Sequence, residues 1–388
     1  VKVNHVNADF GNSMFMTLFD GYYFEMPTNI VEVSQEKAEG YFVSPIEEPK
    51  ELLQRLLIST KIDNEERYFL VGNAAEKEVL GNNHIKKLHN KTESEIPYVA
   101  FLASVAYYHA IKQEEQVQDY NVTIDYFQTM LPIWLLVKLN KFSEMQTKMA
   151  DRFKGQHEVV IHTLGVDKKL SIEVKESHCR IEGEVARWAL KKNFDLENNS
   201  DADQFKNNDV VLVDIGAGTV DLALLPAGLS APKSRQSLTF FSDIPYLSHI
   251  EDLRKEKLLE HFDEVRSLEK FIVDNIDKSK MERKDGNSGK SYDLTDPIYH
   301  ALREYANILI TKVEGAFQAP KDKTYKYVYI GGVAPIIKES VRHEIESRYN
   351  GDIFENNHIF LPDARKLNLY GLEILSRADM AKKQQTTT

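Results

Sequence analysis

Two aspartates stand in the same short pattern, far apart in the chain. Asp9 lies in Val6-Asn7-Ala8-Asp9-Phe10-Gly11-Asn12-Ser13. Asp214 lies in Val210-Val211-Leu212-Val213-Asp214-Ile215-Gly216-Ala217-Gly218-Thr219-Val220-Asp221. A carboxylate at a strand end offers a hard oxygen of the kind magnesium prefers, often through retained water. Glycine two residues on permits the φ angles a tight turn needs. It also lets backbone N–H groups approach phosphate oxygens with no Cβ in the way. Two such hairpins facing each other would grip a phosphate chain from both sides. A lone Asp-x-Gly occurs in many hairpins, so Asp9 by itself says little. The longer Asp214–Asp221 pattern is narrower, and its recurrence in both halves of the chain is narrower still.

The elements that must position these residues follow from local patterning. Four apolar residues, Val210–Val213, suit a strand buried on both faces. The pattern turns and resumes at Val220–Leu225, a hairpin in outline. A third strand-and-glycine element is Tyr327-Val328-Tyr329-Ile330-Gly331-Gly332-Val333-Ala334. The two Asp-x-Gly copies each open about half of the chain, as in a diverged duplication. Helical patterning is expected over Tyr98–Gln113, Glu184–Lys192, Ile250–Ile276, Asp296–Phe317 and Pro335–Tyr349. Strands are expected at Asn121–Met130, stopped by Leu131-Pro132, at Val159–Thr163 with Leu170–Val174, and at Lys323–Ile330. Asp195–Asn208 reads as a surface loop between halves, Lys278–Ser291 as an exposed loop, and Ala381–Thr388 as a disordered polar tail.

Composition narrows the function classes. With 388 residues, 42% hydrophobic and 28% charged, the chain has globular composition and room for two packed cores. A net charge of −11 disfavours direct contact with DNA phosphates, so a nucleic-acid connection would run through a partner. Cys179 is the single cysteine, which fits a reducing cytoplasm. The segment Val1–Phe10 does not read as a signal peptide, and Val210–Leu225 carries two aspartates and two glycines, unlike a membrane span. There is no Gly-x-Ser-x-Gly, no cysteine pair for zinc and no His-Glu-x-x-His. Gly286-Asn287-Ser288-Gly289-Lys290-Ser291 mimics a P-loop. However, Lys284 stands where that motif needs glycine, and Met281–Asp285 is no buried strand.

The three glycine elements together resemble the phosphate-1, phosphate-2 and adenosine motifs of the actin, heat-shock chaperone and sugar-kinase superfamily. They occur in family order and span nearly the whole chain. The likeness is strongest to the plasmid-segregating bacterial actins, the ParM group. Phe127-Gln128-Thr129-Met130-Leu131-Pro132 resembles a strand and Leu-Pro turn of that group, and Lys366-Leu367-Asn368-Leu369-Tyr370-Gly371 its second connecting motif. Arg180-Ile181-Glu182-Gly183-Glu184-Val185-Ala186 resembles the first connecting segment, with Glu182 and Ala186 in register.

The resemblance implies an α/β, actin-like ATPase fold of two ribonuclease-H-like domains flanking a nucleotide cleft. Domain I would run over 1–194, with an inserted subdomain near 29–95. Domain II would run over 195–365, with a second insertion near 240–296, and 366–388 would return to domain I. It implies Mg²⁺ and ATP as cofactors, with GTP as the open alternative. Asp9 and Asp214 would organise the metal. Gly11, Asn12, Ser13, Gly216, Ala217, Gly218 and Thr219 would hold phosphates, and Gly331, Gly332 and Val333 would lie against the adenosine. Glu182 would position or polarise the attacking water, with Glu184 as the fallback; phosphoryl transfer needs orientation and charge neutralisation above all. The implied activity is hydrolysis of ATP by a polymerising cytoplasmic protein. Its partners would be its own copies and a DNA-binding adaptor that segregates plasmid or prophage DNA, with no membrane attachment.

The sequence departs from the pattern in places. Ile181 replaces the usual proline before the connecting glutamate, Ala217 stands where many relatives have glycine, and the first strand carries polar Asn4, His5 and Asn7. His5 reads as a satisfied structural histidine. Other classes remain in view. A small-molecule kinase of the same superfamily would need an acceptor site beside a general-base carboxylate, for which no convincing motif stands out. A chaperone-type switch would need an attached substrate domain. A membrane-attached cell-shape actin would need an amphipathic anchor.

Overall fold

The computed structural model describes residues 1–76, 78, 90–112 and 120–387. The chain divides into two compact units. Unit 1 holds Val1–Ile181, Asn193–Glu197 and Leu369–Thr388, and unit 2 holds Glu182–Lys192 and Asn198–Asn368.

Unit 1 is built on a nine-stranded sheet of the described residues. Its strands are β1 (Lys2–Phe10), β2 (Met14–Phe19), β3 (Tyr22–Pro27), β4 (Ile30–Val33), β5 (Leu57–Ile62), β6 (Glu65–Val71), β7 (Asn121–Leu131), β8 (Gly155–Ile161) and β9 (Lys168–Ile181). Their order is β3-β2-β1-β7-β9-β8-β5-β6-β4. The β1–β2 hairpin is antiparallel, and β1, β7 and β9 run parallel. The short helix α1 spans Gln35–Ala38, and α2 spans Ile96–Lys112. Gln113, the expected end of α2, lies outside the described residues. Helix α2 is apolar on nearly every side and buried accordingly. Its Phe101 meets Phe127 of β7 at 5.1 Å and Phe153 at 5.3 Å between ring centres. Pro132 ends β7 and starts α3 (Ile133–Leu139), which is followed by α4 (Phe142–Asp151).

The insertion expected near 29–95 is not a separate sheet in its described part. Strands β4, β5 and β6 join the main sheet because Ile58 and Ser59 pair with Ile161 and Val160 at the edge of β8. They enclose a small core of Val31, Val33, Leu57, Leu70, Ala74 and Ala75. Residues 77 and 79–89 of this insertion lie outside the described residues.

Unit 2 carries a five-stranded sheet. Its strands are β10 (Val210–Ile215), β11 (Val220–Leu225), β12 (Leu238–Phe241), β15 (Lys326–Ile330) and β16 (His358–Phe360), in the order β12-β11-β10-β15-β16. The hairpin of β13 (Glu282–Lys284) and β14 (Ser291–Asp293) stands apart from it. The helices are α5 (Ala186–Lys191), α6 (Tyr246–Lys257), α7 (Val265–Asn275), α8 (Thr295–Ala316), α9 (Ala334–Arg348) and α10 (Ile353–Asn357). Central β10 is buried on both faces, with Val210, Val211, Leu212 and Val213 all at 0% exposure. The single helix expected over Ile250–Ile276 is two, α6 and α7. The expected loop 278–291 is mostly the β13–β14 hairpin, whose tip is closed by Asp285 accepting from the N–H groups of Asn287 and Ser288.

Three boundaries differ from expectation. The chain first leaves unit 1 at Ile181, not at 194, because the end of α5 is tied to the chain beyond it. Asn199 Nδ2 donates to the carbonyls of Ala189 (2.8 Å), Leu190 (3.3 Å) and Lys192 (3.2 Å). The return falls at Leu369, not 366: Asn368 bonds within unit 2, while Leu369 packs on Met16 and Leu18. The C-terminal helix runs over Leu367–Thr387, where a disordered tail was expected from about 381. That stretch is polar but contains good helix formers and no glycine or proline, and Lys383 pairs with Glu176 and lies over the Tyr126 ring.

Candidate functional site

In unit 1, Asp9 sits on β1 opposite Met16 and is 9% exposed. The turn after it, Gly11-Asn12-Ser13, is half-exposed. Gly11 is required by space and not by a positive φ, since an added Cβ would lie 2.4 Å from the Met14 carbonyl oxygen. Thr28 pins the turn from β3's far end. Its N–H donates to Ser13 O at 2.9 Å and its Oγ1 to Gly11 O at 2.6 Å.

Two polar residues of β1, His5 and Asn7, have partners on the C-terminal helix. His5 Nε2 lies 2.9 Å from Glu373 Oε1, and His5 Nδ1 lies 3.2 Å from Asp20 Oδ1. Asn7 donates to Glu373 Oε2 (2.8 Å) and accepts from Ser376 Oγ (2.7 Å). Arg377 Nε donates to Glu373 at 2.8 Å. Burial alone would lower the His5 pKa, but the hydrogen bonds and charges of Asp20 and Glu373 outweigh it and raise the value to about 9. Burial likewise works to raise the Glu373 pKa, and His5 and Arg377 overcome it to lower the value. His5 is therefore a structural cation that fixes β1 against the helix.

In unit 2, Asp214 stands at the end of β10, directly opposite Asp221 of β11 and in register with Ile330 of β15. Directly opposed residues of an antiparallel pair share a face, so two carboxylates lie together there and favour a nearby cation. Gly331, with φ of 90°, packs on this corner: a Cβ would lie 2.5 Å from Asp214 Oδ1 and 2.6 Å from Ile215 O. Only glycine fits. Val333 N–H donates to Ile215 O at 3.1 Å and Gly331 N–H to Ala364 O at 3.0 Å, which holds the glycine turn on the end of β10. Val333 is 2% exposed, so it serves as an anchor of that turn; Gly332 is exposed, with open space where a Cβ would be.

Some expected donors are committed within the hairpin. Gly216 N–H donates to Thr219 O at 2.9 Å and closes the turn, and Ala217 O accepts from Leu247 N–H at 2.9 Å, at the start of α6. Gly216, Ala217 and Gly218 are half-exposed, and Thr219 is 8% exposed. Neither Gly216 nor Gly218 has a positive φ; in this unit the left-handed glycines near the site are Gly183 and Gly331.

Glu182 is half-buried in the turn between β9 and α5. Glu184, the fallback, forms an ion pair with Arg187, whose guanidinium lies 4.4 Å from the centre of the Trp188 ring. A residue absent from the expected set joins these parts. Asn368 Nδ2 donates to Asp214 Oδ2 at 2.6 Å, and its Oδ1 accepts from Gly183 N–H at 2.9 Å. Asn368 lies in the segment that resembles the second connecting motif, but an asparagine at a helix start ordinarily reads as a cap, so the sequence did not give its partners. The P-loop mimic is the tip of the β13–β14 hairpin, with Lys290 exposed and the loop joining strand to strand where a P-loop joins strand to helix.

The donor set suits magnesium. Among the described residues no group of three or more His, Cys, Asp and Glu gathers as a protein cage. Magnesium is ordinarily held by one or two carboxylates together with phosphates and water, which is what a strand-end aspartate offers.

A family model described as the Alp7A C-terminal domain matches residues 209–364, which carry the β10–β11 hairpin and the Gly331 turn. No curated protein matches the chain. A crystal structure of the actin-like protein Alp7A is 59% identical, covers 100% of this chain and 99% of its own, and superposes with a TM-score of 0.94. The chain belongs to the actin-like Alp7A family. The expected actin-like α/β fold is thus established. More distant likenesses show the same fold at low identity. A Clostridium botulinum ParM from a 15-stranded filament is 13% identical, with a TM-score of 0.66, covering 97% of this chain and 100% of its own. A Bacillus thuringiensis ParM solved with AMPPNP is 16% identical, with a TM-score of 0.64, covering 97% and 98%. No helix of the described residues in this Alp7A-family chain is long and apolar enough to cross a membrane.

Proposed function

We propose that the chain is a magnesium-dependent ATPase that polymerises with ATP, and that its filaments segregate plasmid or prophage DNA through a DNA-binding adaptor. The observation that carries this is the corner of unit 2, where Asp214 is held by Asn368 beneath Gly331, in a chain 59% identical to an actin-like protein over its whole length. Support for the nucleotide comes from ParM relatives solved with AMPPNP and with ATP, and for self-assembly from the ParM filament.

In this reading Asp9 and Asp214 hold magnesium and its waters, and both glycine hairpins contribute to binding the phosphates. Thr219, Asn12 and Ser13 supply side-chain donors, Gly332 meets the adenosine, and Glu182 orients the hydrolytic water. Bound magnesium would supply charge neutralisation at the phosphates. ATP is the expected nucleotide, with GTP to be tested beside it.

Light scattering and phosphate release, followed together after adding ATP–Mg²⁺ with ADP as control, test the proposal. Scattering should rise with ATP and decay as phosphate appears. A persistent monomer across salt and protein concentrations would sink the filament, and ATP consumption that requires an added sugar or acid would replace it with a kinase. Glu182→Ala should keep nucleotide binding and slow hydrolysis by about 10²–10⁴-fold, the scale of one positioned proton-transfer group. A wild-type rate would remove Glu182 from the chemistry.

A further inference from the structure

We propose that Asn368 is a positioning residue that holds the Asp214 carboxylate and the Glu182–Gly183 turn in one arrangement, so that magnesium binding and hydrolysis both depend on it. The inference rests on the magnesium–ATPase reading above. Its basis is a single side chain, 7% exposed, with both polar ends occupied. The orientation of the amide is determined by its partners. A carboxylate accepts and a backbone N–H donates, so Nδ2 must face Asp214 and Oδ1 must face Gly183. Turning the amide over would set oxygen against carboxylate and N–H against N–H.

What the amide joins makes it more than a filled buried need. One partner is the carboxylate expected to hold the metal. The other is the amide next in the chain to Glu182, in a turn whose φ of 74° at Gly183 departs from ordinary backbone. Asp214 is further confined by Gly331, whose missing Cβ leaves room for Oδ1. Asn368 acts on the other oxygen, Oδ2. Gly183 lies just after the chain first enters unit 2 and Asn368 just before it finally leaves, so the bridge fastens both of these points to one carboxylate. Partners that orient a metal ligand are ordinarily worth 10–100-fold in metal affinity or activity.

Two variants separate this role from a purely structural one. Asn368→Ala removes both bonds. Asn368→Asp keeps the shape and an acceptor for Gly183 N–H, but sets a carboxylate against Asp214. Three quantities are measured on the full chain: hydrogen exchange of the Gly183 amide without nucleotide, the Mg²⁺ concentration that half-saturates binding of a fluorescent ATP analogue, and the rate of phosphate release. In Asn368→Ala, Gly183 exchange should speed up about tenfold, the scale of one net hydrogen bond. Its Mg²⁺ requirement should rise about 10–100-fold, and its hydrolysis should fall by a similar factor. In Asn368→Asp, Gly183 exchange should stay near wild type while hydrolysis falls at least about tenfold. Wild-type Mg²⁺ requirement and hydrolysis in Asn368→Ala would overturn the proposal. So would an equal loss of analogue binding with and without Mg²⁺. If Asn368→Ala does not fold, wild-type hydrolysis in Asn368→Asp overturns it alone. A wild-type protein that binds the analogue without regard to Mg²⁺ would instead defeat the ATPase reading on which the proposal stands.

Discussion

The β1–β2 and β10–β11 hairpins share Asp-x-Gly, yet a buried polar network helps to hold the first and not the second. The β10 strand is anchored by fully buried Val210, Val211, Leu212 and Val213. Each such side chain contributes roughly 1.5–3 kcal/mol of hydrophobic stabilisation, indifferent to pH. Polar bonding enters only at its end, where Asn368 meets Asp214. The β1 strand buries Val3, Val6, Ala8 and Phe10, but it also buries His5 and Asn7, and a carboxylate at 0% side-chain exposure, Glu373, ties both to the C-terminal helix. One local motif therefore needs no single kind of support. A strand inside an apolar sheet is positioned by burial, and a strand under a helix can be positioned by a matched polar network, which is costly to leave half-satisfied.

The sharpest way to break this contrast is to remove the hub of the polar network. Glu373→Ala leaves His5, Asn7 and Arg377 without their shared acceptor. It should destabilise unit 1 by about 3–5 kcal/mol, the scale of a broken buried ion pair, as read by denaturant unfolding. A loss below about 1 kcal/mol, the scale of an exposed pair, would mean that β1 is held by its apolar neighbours after all.

Next comes the glycine that packs on Asp214. Gly331→Ala combines a positive φ with a Cβ against Asp214 Oδ1 and the Ile215 backbone. It should cost about 3 kcal/mol from left-handed strain and overpacking, whereas Gly332→Ala, in open space, should stay within about 0.5 kcal/mol. Equal melting temperatures for the two variants would contradict the packing of this corner.

A gentler test is pH. The folded His5 pKa is raised to about 9 from 6.5. The native state thus binds the extra proton, and its stabilisation is complete below about pH 6.5 and lost as pH rises through about 9. Protection factors of β1 amides, which remove the intrinsic rise of exchange with pH, should fall over that window while those of β10 amides do not follow. The slope should vanish in His5→Gln, and parallel behaviour of both strands in the wild type would erase the distinction. The smallest effect is expected at Lys290→Ala. The exposed hairpin tip lies outside both motifs, so nucleotide affinity by fluorescence titration should not change. A large loss would revive the P-loop alternative.

Much of this was legible along the chain. Burial of β10, the end of β7 at Pro132 and the long α8 follow from short-range patterning. The Asp214 turn and the Gly331 turn were also visible, because a turn's steric demands are met within a few residues. Glycine meets two different demands in these turns: Gly11 and Gly216 answer to space, while Gly331 and Gly183 carry a positive φ. Local patterning also merged α6 with α7 and read the polar end of the C-terminal helix as a disordered tail, because apolar period neither marks a break between charged helix formers nor reports a helix that lacks an apolar face.

By itself, then, the sequence determined the β10–β11 hairpin, the strand that Pro132 ends and the glycine turn after β15, because those choices rest on side-chain period and on sterics between near neighbours. The tertiary structure alone decided that Asn368 meets Asp214 and Gly183, that Glu373 meets His5 and Asn7, and that β4, β5 and β6 extend the sheet of unit 1. Hydrogen bonds between residues so distant in the chain depend on where the topology returns it, and a buried polar group carries no mark of which distant partner will satisfy it.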